Sequence, residues 1–284
     1  MTYSRALTIV LASTLAACGP GPRGDGPGSM VPDAPSSTAD APDAPETPPG
    51  DDAGDGSIAS VYAHTAGALY RVDPDTLAIT KIGDFGWPNG GSDSMTDIAI
   101  DQHGTMIGVS FGSVYRVDPS TAVATLLSSN LSGTFNGLSF VPAALVGATG
   151  DDVLIGTRND DGIVFRIDPA TGQATTAGNM GAFSSSGDLV AVDGFGAVQT
   201  ADNGLGPDRL VRLAPQTFQA TPIGSDIGFA NIWGVAYWKS KIFGFTSSGE
   251  FVLIDPTTGV GTLIQANGPA WWGAAVTTVA PIIP

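Results

Sequence analysis

One phrase decides the fold, Leu69-Tyr70-Arg71-Val72-Asp73-Pro74-Asp75-Thr76, because versions of it return four more times along the chain. The later copies begin at residues 114, 164, 210 and 251, and the last two have diverged in sequence. The position of the central aspartate recurs at spacings of 45, 50, 46 and 41 residues. Periods of about 40–50 residues are typical of a four-stranded propeller blade. The repeat therefore predicts an all-β propeller.

The second repeat shows the expected strands of one blade. Residues 95–101, 105–110, 113–118 and 122–128 each have strand length and carry β-branched or aromatic residues at their centres. The repeated phrase ends the third strand, so its Asp-Pro-x-Thr segment predicts the turn that leads to the outermost strand.

The turn segment has a mechanical explanation, shown best by the third copy. Asp168 would accept hydrogen bonds from turn amides, Pro169 would preset φ, and Gly172 would take a left-handed conformation. We therefore interpret the repeated aspartates as turn residues and not as catalysts. The arginines two positions earlier are predicted to pair with turn aspartates or with carbonyl groups of a neighbouring blade; they are Arg71, Arg116, Arg166 and Arg212.

The first repeat lacks an inner strand, and the C-terminus supplies a candidate. Residues 272–277 copy the start of residues 233–237, which form the inner strand of the fifth repeat. We expect this last segment to pair into the first blade, because a ring closed by both termini leaves no inner strand missing. The prediction is one domain over residues 58–284 with five blades, and six blades are the alternative.

Composition limits the partners. The chain has 284 residues, a formal charge of -16 and only 13% charged residues. Nucleic acids and anionic lipid surfaces are poor partners for such a chain, because phosphate binding needs clustered Lys and Arg. The single cysteine, Cys18, excludes an intrachain disulfide.

The N-terminus predicts export. Arg5 precedes a mostly apolar run over residues 6–17, which is too short for the roughly 20 residues of a transmembrane helix and suits a signal peptide. Leu15-Ala16-Ala17-Cys18-Gly19 resembles the lipobox of bacterial lipoproteins, which implies cleavage after residue 17 and lipidation of Cys18. The alternative is an incidental cysteine after an ordinary signal peptide.

The segment that follows predicts a tether. Residues 19–57 carry eight acids against one base and are rich in Pro, Gly and Ala. Such a sequence cannot bury enough apolar surface to offset chain entropy, so residues 18–57 are expected to form a disordered spacer. Gly19 resembles enterobacterial sorting signals for the outer membrane, so that membrane, or the cell surface, is favoured over the inner one.

Residues 58–284 resemble bacterial extracytoplasmic propellers with Leu-Tyr-Arg-Ile-Asp-Pro-x-Thr-Gly repeats, broadly akin to the YVTN and quinoprotein-like propellers. The resemblance implies an exported propeller and leaves function open, since propellers host binding, scaffolding and catalysis.

Ligands of propellers often bind where the loops between blades surround the central channel. Here those loops carry aromatic rings and amides, which predicts stacking on sugar rings and hydrogen bonding to their hydroxyl groups. The alternative is that the aromatics only fill gaps between blades. The candidate ligand-binding residues are Trp87, Asn89, Asp93, Phe135, Asn136, Phe183, Phe229, Asn231, Trp233, Trp271 and Trp272.

The sequence supports catalysis less strongly than it supports ligand binding. Asp97 and Asp188 occupy equivalent inner-strand starts, expected at the channel mouth, where they would form an acid and base pair of a carbohydrate-active or lactone-type hydrolase. No metal-ligand or nucleophile-elbow motif is present, and we expect no metal or cofactor. The preferred hypothesis is a non-enzymatic module that binds a glycan or a protein. The alternatives are the hydrolase and a pure protein scaffold.

Overall fold

The computed structural model describes residues 60–159, 161–202 and 206–283. The predicted signal peptide, Cys18 and the predicted tether lie outside these residues. The described part is all-β, with five four-stranded antiparallel sheets and two short 3-10 helices, Pro88–Gly90 and Ala143–Val146. No helix within it is long and apolar enough to cross a bilayer.

Each sheet is one blade, and its strands follow one another from the inside outwards. The first blade contains β20 (Gly273–Ala275), β1 (Val61–His64), β2 (Ala68–Val72) and β3 (Ile79–Asp84). The second contains β4 (Asp97–Ile100), β5 (Met106–Val109), β6 (Val114–Val117) and β7 (Ala124–Ser128). The third contains β8 (Gly137–Val141), β9 (Val153–Thr157), β10 (Ile163–Ile167) and β11 (Ala174–Asn179). The fourth contains β12 (Ser184–Val192), β13 (Gly196–Asp202), β14 (Arg209–Leu213) and β15 (Ala220–Asp226). The fifth contains β16 (Ile232–Trp238), β17 (Lys241–Thr246), β18 (Phe251–Ile254) and β19 (Gly261–Gln265).

The ring closes as predicted, because the C-terminal strand β20 pairs antiparallel with β1. The register sets Ala275 opposite Tyr62 and Gly273 opposite His64. The innermost strands β20, β4, β8, β12 and β16 contact one another in a closed ring. The prediction of five blades is confirmed, and the six-bladed alternative is wrong.

The repeated aspartates close turns in four blades, as expected. Asp73 Oδ1 accepts hydrogen bonds from the backbone N–H groups of Asp75 (2.9 Å) and Thr76 (2.8 Å), and these bonds lower the pKa of its carboxyl. In every blade the turn then uses a left-handed residue with φ between 57° and 75°; these residues are Leu77, Ala122, Gly172, Phe218 and Gly259. We call the face that carries these turns the turn face and the opposite one the loop face.

The predicted arginine contacts are found only in part, because the Arg71 charge acts on the turn residue Asp73 while the predicted bridges to a neighbouring blade are not seen among the described residues. Arg212 donates a hydrogen bond to Phe195 O (2.9 Å) and stacks on the Phe195 ring, and both residues belong to the fourth blade. Arg71, Arg116 and Arg166 are exposed and form no ion pair within 4 Å among the described residues.

The tail after β20 closes the channel at the turn face. Residues 276–283 run across the inner strands and bond to four blades in succession. The contacts are Thr277 Oγ1 to Asp101 O (2.9 Å), Thr278 Oγ1 to Asp152 Oδ2 (2.5 Å), Asp193 N to Thr278 O (2.7 Å) and Lys239 N to Pro281 O (2.8 Å).

Candidate functional site

Three aromatic side chains form a continuous strip on the loop face. Phe111 lies 6.4 Å from Trp272, and Trp272 lies 6.1 Å from Trp233, measured between ring centroids, with interplanar angles of 82° and 89°. Phe111 is 57% exposed, and both tryptophans are partly exposed. We call these three residues the aromatic strip. It crosses the second, first and fifth blades beside the channel axis.

The Trp-Gly pairs explain why the tryptophans face outwards. The pairing between β16 and β17 shifts register between Ile232 and Gly234, and such a bulge re-aims the residue that it leaves unpaired, Trp233. A Cβ atom on Gly234 would lie 2.6 Å from the backbone carbon of Gly273. The inner strands therefore approach at their glycines, and the preceding tryptophans project from the loop face.

Two of the predicted ligand-binding aromatics are core residues. Phe135 is 0% exposed and packs edge-on against Phe165, and Trp271 is 1% exposed between Tyr70 and Phe245. Their proposed ligand role is corrected, because a ligand cannot reach either ring without unpacking a blade. They fill the gaps between blades, which was the alternative interpretation.

Trp233 and Trp272 are the predicted aromatics that lie in the strip, and the remaining three are partly buried between or within blades. Trp87 packs between Phe85 and Tyr115, with its ring centroid 5.5 Å and 5.2 Å from theirs. Phe183 and Phe229 pack against the core clusters of the fourth and fifth blades.

The predicted polar candidates are dispersed. Asp93 accepts a hydrogen bond from the Tyr115 hydroxyl group (2.7 Å), so it anchors its loop. Asn89 and Asn231 are exposed and left-handed, with φ of 56° and 54°. Asn136 donates through Nδ2 to Asn159, while its buried Oδ1 has no protein partner among the described residues.

Asp97 and Asp188 meet on the channel axis but are not at its mouth. Both are 0% exposed, which corrects the expected placement. Asp97 Oδ2 accepts the backbone N–H of Leu138 at 2.6 Å, and Asp188 Oδ2 accepts those of Val235 at 2.9 Å and Ala274 at 3.4 Å. Each carboxyl thus joins its own blade to others.

Burial raises the pKa of both carboxyls well above the usual range, and the neighbouring Asp188 raises that of Asp97 further. Two carboxylates in a dry site cannot both ionise cheaply, so the pair holds one proton to higher pH than two separate exposed carboxyls would. Asp188 accepts more backbone N–H groups, which stabilise its charged form. We therefore assign the proton to Asp97.

Sequence reasoning missed Phe111 and His64. Phe111 occupies the tip of a turn between β5 and β6, flanked by Ser110 and Gly112. A large aromatic residue at the tip of a tight turn cannot pack into the core of its blade. This position in the sequence is the signal that could have identified Phe111 as an exposed ligand-binding candidate. His64 ends a strand of buried residues and lies at the axis beside Asp97, which only the closed ring reveals.

The larger grooves of the described residues lie away from the strip. One of about 560 Å³ separates the first and second blades towards the turn face and is lined by Tyr62, Arg71, Lys81 and His103. Acidic residues lie beside two of these side chains, since Asp84 pairs with Lys81 at 2.7 Å and Asp151 lies 3.4 Å from His103. The strip is the stronger candidate, because large aromatic side chains are usually buried and a contiguous exposed run of them marks an interaction site.

No family profile matches the chain, and no curated protein is similar to it in sequence. Solved structures do resemble it. A chain of a nidogen/laminin complex is 9% identical, with a TM-score of 0.51, over 76% of this chain and 97% of that one. BamB from Moraxella catarrhalis is 14% identical (TM-score 0.36; 73% of this chain, 64% of BamB), and TolB from Acinetobacter baumannii is 17% identical (TM-score 0.43; 73% and 52%). The chain thus spans less than two thirds of the BamB and TolB chains. At such identities the likeness concerns the fold alone: this chain is a five-bladed β-propeller.

Proposed function

We propose that this protein is an exported, lipid-anchored binding module that holds a saccharide on its loop face through the aromatic strip. The observation that carries the proposal is the edge-to-face run of Phe111, Trp272 and Trp233, with Phe111 57% exposed. Large aromatic rings that are exposed to water on a propeller face gain free energy when a ligand buries their apolar surface.

The chemistry of the strip favours a saccharide. Its three side chains carry no charge, and their rings present faces on which the C–H groups of a pyranose pack. Asn231, two residues before Trp233, exposes an amide that both donates and accepts hydrogen bonds. A protein ligand is the second candidate, because exposed aromatics also anchor protein interfaces.

The chain enters the propeller on the side opposite the strip. Ser60 precedes Val61, and Val61 pairs with Val72 beside the first Asp-Pro turn. A tether that precedes Ser60 would therefore attach at the turn face and leave the strip directed away from that attachment. This geometry suits a tethered receptor for an external ligand.

The hydrolase hypothesis receives less support. Its two carboxylates would have to contact substrate, yet Asp97 and Asp188 are 0% exposed and their oxygens accept backbone N–H groups from neighbouring blades. A general acid must reach the leaving group within hydrogen-bond distance. The scaffold hypothesis differs from ours in predicting protein partners without affinity for small ligands.

A glycan array probed with the full-length protein tests the proposal, followed by calorimetric titration of the saccharides that bind. Phe111→Ala should weaken binding about tenfold, the 1.4 kcal/mol typical of one aromatic contact. Val123→Ala is the matched control, because Val123 is 51% exposed on the outer side of the second blade. Absence of any saccharide hit, or equal affinities of Phe111→Ala and wild type, would contradict the proposal.

A further inference from the structure

Three titratable side chains meet on the channel axis beneath the strip. His64, Asp97 and Asp188 are each 0% exposed. His64 Nδ1 donates a hydrogen bond to Thr65 O (2.9 Å), so Nε2 holds the free electron pair of the ring. That Nε2 has no hydrogen-bond partner and faces Asp97 Oδ1 at 3.5 Å. A buried acceptor that faces a carboxyl group is satisfied only if a proton lies between them, so that one group donates a hydrogen bond to the other.

The Gly273 backbone lies against the gap between His64 and Asp97. A methyl group on Gly273 would lie 2.1 Å from Asp97 Oδ1 and 2.4 Å from His64 Nε2. The inner strand β20 therefore approaches both groups closely, and only glycine fits at this position. A carboxylic acid on Asp97 can direct its O–H group to His64 Nε2 or to Asp188.

The same three groups join all five blades. His64 of the first blade meets Asp97 of the second, and Asp97 binds Leu138 N of the third. Asp188 of the fourth blade reaches the fifth and the first through the N–H groups of Val235 and Ala274. The protonation state of the cluster therefore acts on the spacing of the inner strands.

The strip is tied directly to this cluster. Trp272, its central ring, donates its backbone N–H to His64 O (2.8 Å) and immediately precedes Gly273. No flexible segment separates Trp272 from the cluster. A change in the distance between His64 and Asp97 must therefore displace the segment that carries the ring.

We propose that His64, Asp97 and Asp188 form a proton-controlled clasp that sets the position of Trp272 and hence of the aromatic strip. With the proton bound, the inner strands are held together. When rising pH removes it, two buried carboxylates face each other, and their repulsion separates the strands beneath Trp272. Control of ligand binding by this clasp rests on the proposed function; the clasp itself does not.

The sign of the pH effect follows from the pKa directions. The pKa of Asp97 is raised on folding, so its contribution to stability is present at low pH and is lost as pH rises from the unfolded value of 3.8 through the folded one. Burial lowers the pKa of His64 from 6.5 to about 4, so its contribution is lost as pH falls through that window. In the described part of the chain no other charged side chain acts on the three groups; β8, β16 and β20 present backbone N–H groups.

Thermal unfolding between pH 5 and pH 8.5 tests the clasp with the full-length protein and the Asp97→Asn variant. The amide imitates the protonated acid and cannot ionise. The melting temperature of wild type should therefore fall more over this pH range than that of Asp97→Asn. Asp193→Asn, an exposed acid, controls for net charge and should follow wild type.

Fluorine NMR of wild type labelled with 5-fluorotryptophan gives the second readout, with the Trp272 resonance assigned by Trp272→Phe. That resonance should shift over the same pH range in wild type and stay fixed in Asp97→Asn. Parallel melting profiles of the two proteins, or a Trp272 resonance that ignores pH in wild type, would overturn the clasp. Neither readout uses a saccharide, so failure of the clasp is distinguishable from failure of ligand binding.

Discussion

Replacement of Gly273 by alanine is the sharpest structural perturbation of the ring. The new methyl group would lie 2.1 Å from Asp97 Oδ1 and 2.4 Å from His64 Nε2, well inside van der Waals contact. Neither neighbour can move into solvent, because both are fully buried. Gly273 itself is held opposite His64 by the pairing of β20 with β1. The clash must therefore be relieved by separating blades.

The expected cost has two parts. Overpacking of a dense core costs about 1–3 kcal/mol, and a buried polar group that loses its partner adds about 1–3 kcal/mol. We expect Gly273→Ala to lower the free energy of unfolding by about 2–6 kcal/mol, which at about 2–4 °C per kcal/mol is roughly 4–24 °C in melting temperature.

Guanidinium unfolding followed by circular dichroism measures this change. Gly67→Ala is the matched control, because a Cβ atom on Gly67 meets no heavy atom within 4 Å and the residue is exposed. It should change the free energy of unfolding by less than about 0.5 kcal/mol. Equal stabilities of Gly273→Ala and Gly67→Ala would refute the inferred packing at the axis.

Two further predictions concern the ends of the chain. A chain ending at Val276 loses the six hydrogen bonds that Thr277, Thr278, Pro281 and Ile282 form with the blades. At about 1 kcal/mol for each bond, its unfolding free energy should fall by about 4–8 kcal/mol in denaturant titrations, and wild-type stability would show that the tail is dispensable. Cys18→Ala should abolish incorporation of labelled palmitate and release the protein from the membrane fraction, since stable anchoring needs acyl chains; retained label would disprove the lipid anchor.

The fold could be predicted because its determinants are local and repeated. Asp73 and its counterparts accept turn amides in each of the four copies that keep the aspartate, whatever surrounds the phrase. The closing strand was recognisable because Trp272-Gly273 repeats Trp233-Gly234. Both signals can be recognised in short stretches of sequence. The predicted turns and the predicted closing strand are both confirmed.

The site was only partly predictable, because burial depends on contacts between blades. Trp271 and Trp272 are adjacent in sequence, yet the first enters the core and the second lies on the loop face. The convergence of Asp97 and Asp188 depends on how closely glycines let the inner strands approach, which no single repeat encodes. The predicted arginine bridges to a neighbouring blade are not found for a related reason, since the gap to the next blade cannot be measured from sequence.

Hydroxyl-radical footprinting tests the central claim, that the loop-face strip is the binding surface, most directly. The full-length protein would be oxidised with and without a saccharide found on the array. We predict that Phe111 and Trp272 become protected, while Val279 on the turn face, which is 52% exposed, is oxidised equally in both samples. Protection of Val279 with Phe111 unchanged would contradict the claim and assign binding to the turn face.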